Sequence, residues 1–142
     1  MLIALILLGG FRDIVFVNIN EQIGFNDGLV DSNRVLNSFS FLKSYSSAEL
    51  LNLKWILTVL FALTFFLLSF ISFKVILLDS QGARWISILY VVGVITAGIT
   101  FVGGRILGDP LTGYTLSRVI MGALQSPFPL MLMIPARMLA VR

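Results

Sequence analysis

Residues 55–78 read WILTVLFALTFFLLSFISFKVILL and carry a single charge, Lys74, close to their end. As a helix this stretch measures roughly 36 Å at ~1.5 Å per residue, enough to cross the ~30 Å hydrocarbon core of a bilayer with some tilt. A soluble domain of 142 residues has no use for such a helix. The stretch therefore decides the class: an all-α, polytopic integral membrane protein. Immediately upstream, Ser46-Ser47-Ala48-Glu49 fits the capping-box pattern and predicts a helix start there. The helix then runs through Leu50, Leu51 and Leu53 into the apolar stretch, with Lys54 and Trp55 suited to the headgroup level.

Composition agrees. The chain is 58% hydrophobic and only 12% charged, against about 25% charge in ordinary soluble domains, and its mean hydropathy is +0.99. Its length leaves room for three or four membrane helices and one sizeable loop in a single membrane domain, residues 1–142. The ten Lys and Arg that give a net charge of +3 are dispersed at segment ends. They form no phosphate-tracking stripe, which argues against nucleic acid, and they read as anchors to membrane lipids. Cysteine and histidine are both absent. That removes the thiol nucleophile, the commonest general base, the commonest metal ligand and the usual axial haem ligand. The expectation is no catalytic residue, no metal and no cofactor.

Outward from the decisive stretch, four helices are expected at about 1–17, 47–78, 85–102 and 114–136. MLIALILLGGF at 1–11 covers only about 16 Å as a helix, and adding Ile14–Val17 places Arg12 and Asp13 inside the apolar run. A signal peptide is the alternative, but a basic start and a small-x-small cleavage site are missing. The expectation is a first membrane helix, either short or begun at an upstream start codon. Residues 18–46 are polar, with turn formers at Gly24 and Asn26-Asp27-Gly28. Yet they also hold Phe25, Val30, Leu36, Phe39, Phe41 and Leu42, too many hydrophobics for a disordered linker. A folded cap on the membrane surface is expected. Asp79–Arg84 reads as a tight connection with Gly82 able to take a left-handed turn. GGRILGDPLTGYTLSR at 103–118 reads as a Gly- and Pro-rich loop. Pro127, Pro129 and Pro135 interrupt the last apolar segment, so a kink or two half-helices are expected near Ser126 and Phe128.

On the third helix Gly93, Thr96, Ala97, Thr100 and Gly104 recur at helical spacing and contain two small-xxx-small pairs. In lipid such residues let backbones approach, and they predict a packing face against either the second helix or another protein. On the second helix Thr58, Ala62, Phe65, Ser69 and Ser72 form the smaller face. Phe61, Phe66, Phe70 and Phe73 crowd the rest, a lipid-facing surface or, in the sharper reading, a stacking surface for a pigment or quinone. Lys54, Trp55, Trp85, Arg118 and Arg137 are expected at the membrane interface or on lipid. Lys74, Arg105, Arg118 and Arg137 border apolar runs, where snorkelling accounts for them. No acid lies within an apolar run after residue 49, so a proton or cation relay lacks stepping stones. The Pro127/Pro129 break is expected to be a structural kink; in a transporter it would expose backbone to a ligand. Basic residues on the two sides of four crossings give a weak orientation signal that leans towards cytoplasmic termini.

Phe11-Arg12-Asp13 and Phe16 close the first helix, the long helix begins near Leu53-Lys54, and the chain ends in Tyr114, Arg118, Gln125, Pro127 and Leu130–Ala136. This layout resembles the small exosortase-system-associated membrane proteins of Bacteroidetes over most of the chain. It departs from them at Arg137-Met138, where aromatic residues are expected, and in a longer Arg118-to-Gln125 spacing. The resemblance implies an accessory role beside a membrane transpeptidase that processes sorted surface proteins. The residues themselves point to a non-enzymatic accessory or assembly subunit of a larger membrane complex, with other integral membrane proteins as partners. A supernumerary subunit of a respiratory or photosynthetic complex makes similar demands. A small transporter or lipid-binding protein that uses the broken last helix is the alternative class.

Overall fold

A computed structural model describes residues 2–140, and those residues are all-α. Five α-helices follow in order: α1 (Leu2–Asn26), α2 (Ser47–Ile71), α3 (Ser80–Ile106), α4 (Pro110–Leu124) and α5 (Phe128–Ala140). A 3-10 helix, Asn37–Ser44, precedes α2, and a π-turn, Ser72–Ile76, follows it. Three helices are long and apolar enough to cross a membrane, and four spans result if the pair α4 and α5, bent by 61°, counts as one.

Two helices are longer than expected. α1 does not stop near residue 17 but runs to Asn26, so the connecting segment is 27–46 rather than 18–46. It ends where Gly28 takes the left-handed conformation (φ +70). The Leu29 N–H then bonds the Gly24 carbonyl at 2.8 Å and the Gly28 N–H bonds that of Phe25 at 3.2 Å, a Schellman closure. The Asn-Asp-Gly signal was therefore a helix stop. α3 starts at Ser80 and ends at Ile106, beyond both ends of the expected 85–102. Gly82 is helical; the left-handed residue before α3 is Leu78 (φ 50), a conformation that costs a non-glycine residue ~1–2 kcal/mol.

The expected loop at 103–118 is also a correction. Its glycines and proline stop one helix and start the next. Gly108 (φ +81) lets the Asp109 N–H close α3 on the Gly104 carbonyl at 2.9 Å. Asp109 then caps α4 by accepting from the Thr112 N–H at 3.1 Å, with Pro110 in the first turn. The Asp109 carboxyl is held below the usual carboxylate range, first by the Thr112 side chain and then by that N–H. At α2 the capping box is present: Ser46 N–H and Oγ both donate to Glu49 Oε2 at 2.8 Å, and the Glu49 N–H reaches back to Ser46 Oγ at 3.4 Å.

The chain divides into two compact units. In the unit Leu7–Phe61, Val15, Ile19, Val35, Leu42 and Leu50 form the core, with Ile23, Phe39, Leu53 and Leu57 packed around it. The segment 27–46 is folded, as its hydrophobics demanded, and amides fix it. Asn18 and Gln22, 4% and 1% exposed, lie one turn apart on α1. Asn18 Oδ1 accepts from the Leu36 N–H at 2.8 Å. Gln22 Oε1 accepts from Asn33 Nδ2 at 3.0 Å, and Gln22 Nε2 donates to Asn26 Oδ1 at 2.7 Å. Asn26 Nδ2 donates in turn to the Tyr45 carbonyl at 3.0 Å. Lys54 Nζ donates to Asn20 Oδ1 at 2.8 Å and fixes the antiparallel register of α1 and α2.

The other unit comprises 1–6 and 62–142. Phe65, Ser69, Phe73, Ile86, Tyr90, Ala97, Leu124 and Leu130 are buried in it. Phe65, Ser69 and Ser72 bear out the smaller face assigned to the second helix. Phe61 and Phe73 do not lie on a lipid-facing surface; both are buried, Phe61 in the first unit. Phe66 stands edge-on to Tyr90 with ring centroids 5.3 Å apart.

Candidate functional site

The seam between α3 and α4 is the tightest contact in the unit 62–142, and glycine makes it possible. A Cβ built on Gly104 falls 2.5 Å from Gly113 Cα and 2.8 Å from the Asp109 carbonyl oxygen. One built on Gly113 falls 2.6 Å from Gly104 Cα and 2.7 Å from the Thr100 carbonyl oxygen. The two helices therefore touch backbone to backbone. One helical turn beyond Ala97, which is 3% exposed, Gly93 receives the Leu124 side chain: its added Cβ would meet Leu124 Cδ1 at 2.8 Å. Tyr90 closes the far end by donating its hydroxyl to the Leu124 carbonyl at 2.9 Å, one of the orphan acceptors at the end of α4.

Gly93, Ala97, Thr100 and Gly104 thus share one face, as their spacing implied, but its neighbour is neither the expected second helix nor another protein: α4 of the same chain lies on it. Thr96 is a correction. It is exposed and bonds back to the Val92 carbonyl at 2.8 Å. At about 100° per residue Thr96 lies roughly 60° from Gly93, whereas the other three fall within about 40° of it.

A second constellation joins residues 58 positions apart. Asp79 is the N-cap of α3, its Oδ1 accepting from the Gly82 N–H at 2.9 Å. The same carboxylate receives Arg137 of α5 bidentately, Nε to Oδ2 at 2.8 Å and Nη2 to Oδ1 at 3.1 Å. Arg137 Nη2 also reaches Gln81 Oε1 at 3.3 Å. Gly82 has no room for a side chain, since its added Cβ would lie 2.5 Å from Phe73 Cδ1 and 2.6 Å from Asp79 Oδ2. Arg137, expected on lipid, is therefore a structural tie. Lys74 lies over the Phe70 ring at 5.5 Å and Arg105 over Phe101 at 4.9 Å. Trp55, Trp85 and Arg118 are exposed, as interface anchors would be.

The Arg137 guanidinium first, and the Gly82 N–H second, hold the Asp79 carboxyl below the usual carboxylate range. The bridge's stabilisation is therefore present above the ordinary aspartate value of about 3.9 and is lost as pH falls through the lowered folded value. Asp79→Asn keeps a good N-cap but gives up the ion pair. Its thermal stability is expected to fall below wild type at neutral pH, with the gap closing at strongly acidic pH. A gap that stays constant from pH 6 to pH 3 would count against the bridge.

At the proline break, Gln125-Ser126-Pro127 separates two helices, and Pro129 falls inside the second of them. Ser126 serves both: its Oγ donates to the Ala123 carbonyl at 2.7 Å and accepts the Phe128 N–H at 3.2 Å. Pro129 is buried in the first turn of α5, where its missing N–H costs no hydrogen bond. Ile95, Gly98, Ile99, Val102, Gly103 and Ile106 make an open apolar face of α3 alone, with no polar side chain among them. No group of His, Cys, Asp and Glu among the described residues could hold a metal ion.

No family profile, curated protein or solved structure matches this chain.

The geometry therefore speaks through its own residues. Sequence reasoning missed the Asp79–Arg137 bridge and the amides of α1. The signal for the first was Arg137, the one charge in the apolar stretch 127–141. For the second it was Asn18 and Gln22 at i, i+4 beside Val15 and Ile19.

Proposed function

We propose that this chain is a non-enzymatic accessory or assembly subunit of a larger membrane protein complex. The observation that carries this reading is where the polar side chains are used. Asn18, Gln22, Asn26 and Asn33 fasten 27–46 to α1, Asp79 and Arg137 bridge α3 and α5, and Tyr90 closes the α3–α4 seam. Each of these groups serves architecture, and none converges with another on a cavity among the described residues. The resemblance to exosortase-associated proteins supports a specific form, a partner of a membrane transpeptidase in a bacterial inner membrane; the distribution of basic residues leans towards cytoplasmic termini. A supernumerary respiratory or photosynthetic subunit is a form of the same reading.

The 61° bend between α4 and α5 favours a second reading, a small transporter or lipid-binding protein built on a broken span. Gentle-detergent extraction of the natively expressed chain, with mass spectrometry of what accompanies it, separates the two. A stoichiometric set of other membrane proteins is the expected result. An isolated homo-oligomer would overturn the subunit reading and direct attention to residues 125–129.

A further inference from the structure

The segment 27–46 is tied to α1 at three heights. Asn33 donates to Gln22, the Leu36 N–H donates to Asn18, and the Tyr45 carbonyl accepts from Asn26. At ~1.5 Å per residue, Asn18 lies roughly 6 Å below Gln22 and roughly 12 Å below Asn26 along α1. The segment therefore comes down from the end of α1 as far as Leu36, then climbs through the 3-10 helix to Tyr45. Leu36 is the lowest of the three ties.

The depth of that point follows from α2. No charge lies between Lys54 and Lys74, and as a helix that interval measures roughly 30 Å, one hydrocarbon thickness. Lys54 and Trp55 thus stand at the boundary of the bilayer, as suits a lysine and a tryptophan. Lys54 Nζ bonds Asn20 Oδ1 at 2.8 Å and carries the same level to α1. Asn18 is two residues, or roughly 3 Å, nearer the bilayer centre. Leu36 is held beside it by its backbone, with its side chain 53% exposed. Val17, Trp55 and Ile56 are exposed on α1 and α2 close to this level.

The neighbouring side chains suit such a position. Arg34 is exposed on the way down, between Asn33 and Leu36, and is long enough to reach lipid phosphates. The exposed acid Asp31 comes earlier, before Asn33. On the way up, Phe41 is 55% exposed, its ring 6.2 Å from that of Phe39. Leu29 is the useful contrast. It is 80% exposed, but it follows Asn26, which is already roughly 9 Å above Asn20.

We propose that the corner around Leu36 is a lipid anchor: the Leu36 side chain enters the acyl boundary, Arg34 faces phospholipid phosphates, and Phe41 lies among the headgroups. The occupant is the membrane itself, because the corner continues the surface of α1 and α2 that meets lipid at the same level. Apolar side chains inserted beneath basic ones are how interfacial elements hold to a bilayer. The anchor needs only this chain and phospholipid, so it stands apart from the subunit reading.

The absence of cysteine lets a single introduced cysteine carry a spin label without background. Leu29→Cys, Leu36→Cys and Phe41→Cys are labelled in the full chain and reconstituted into phosphatidylcholine–phosphatidylglycerol vesicles. Power saturation then compares oxygen with a polar nickel chelate as relaxation agents. The oxygen-to-nickel ratio at 36 is expected to exceed that at 29 at least ~10-fold, because hydrocarbon admits oxygen and excludes the chelate. The ratio at 41 should fall between them. Tryptic resistance in detergent equal to that of the unlabelled chain shows that the cap is folded. If the label at 36 loosens it, Ser38→Cys, exposed in the next turn, must give the same order relative to 29. Equal ratios at 36 and 29 overturn the proposal, since the corner is then in water. A label at 36 shielded from both agents also overturns it, since protein then covers the corner. Arg34→Glu, which sets a carboxylate against phosphates, should lower the ratio at 36, and Arg34→Lys should preserve it. Identical ratios in those two variants would overturn the phosphate contact.

Discussion

Gly104→Leu is expected to destabilise the protein by about 3 kcal/mol or more, whereas Gly103→Leu should be close to neutral. The residues are neighbours on one helix, and hydrophobicity changes equally in both. What differs is the space. At Gly104 the first added carbon already overlaps Gly113 Cα and the Asp109 carbonyl, while at Gly103 nothing lies within 4 Å. Overpacking against a flexible side chain costs ~1–3 kcal/mol because the neighbour can move aside. Here the neighbours are backbone, so α3 and α4 must separate. The Tyr90 hydroxyl and the Leu124 side chain would then lose their seats together. Thermal unfolding in detergent of the two variants beside wild type checks this. Gly93→Leu should fall between them, since Leu124 is a side chain that can turn. Equal melting temperatures for the two neighbouring variants would show that the α3–α4 seam is not closed as described.

Gln22→Leu should cost about 1–3 kcal/mol although leucine is the more apolar residue and of similar size. Gln22 is 1% exposed and joins two other amides, accepting from Asn33 and donating to Asn26. Leucine removes both bonds, each worth about 0.5–1.5 kcal/mol net, and leaves the exposed Asn26 and half-buried Asn33 amides without that partner. The stranded groups lie where the 27–46 segment meets α1, so that segment should release first. It carries two tryptic sites, Arg34 and Lys43, both exposed on the folded cap. Cleavage there is expected to accelerate at least ~10-fold in Gln22→Leu, because local opening is what the protease samples. Ser44→Ala, which removes only an exposed hydroxyl bond to the Phe41 carbonyl, serves as the control. Unchanged cleavage would mean that the amides do not hold the segment.

Particular residues show what the sequence could and could not disclose. The capping box at Ser46 and Glu49 was readable because both halves of the motif lie within four residues. The α3 packing face was readable because helical periodicity needs no knowledge of the partner. Its partner was not, since α4 looked like a loop. Gly108 and Asp109-Pro110 are loop residues by composition, yet here the corner is only Leu107, Gly108 and Asp109, Pro110 already opens α4, and Gly104 and Gly113 serve contact rather than flexibility. The second half of α1 was hidden for the opposite reason. Asn18, Asn20, Glu21 and Gln22 depress its hydropathy, and only the folded cap reveals that two of them face inward. Asp79 and Arg137 meet across 58 positions, and no local pattern announces such a pair.

The amide bonds between α1 and its cap also set an order of biogenesis. The C-terminal half of α1 is too polar to enter lipid alone, and its bonding partners, from Asn33 to Tyr45, leave the ribosome only after it. While that half waits, its amides must bond water instead. Synthesis of the cap exchanges water for the Leu36 N–H, Asn33 and the Tyr45 carbonyl. Only then are the buried Asn18 and Gln22 amides bonded within the protein. α1 is in this sense made before the segment that completes its bonding.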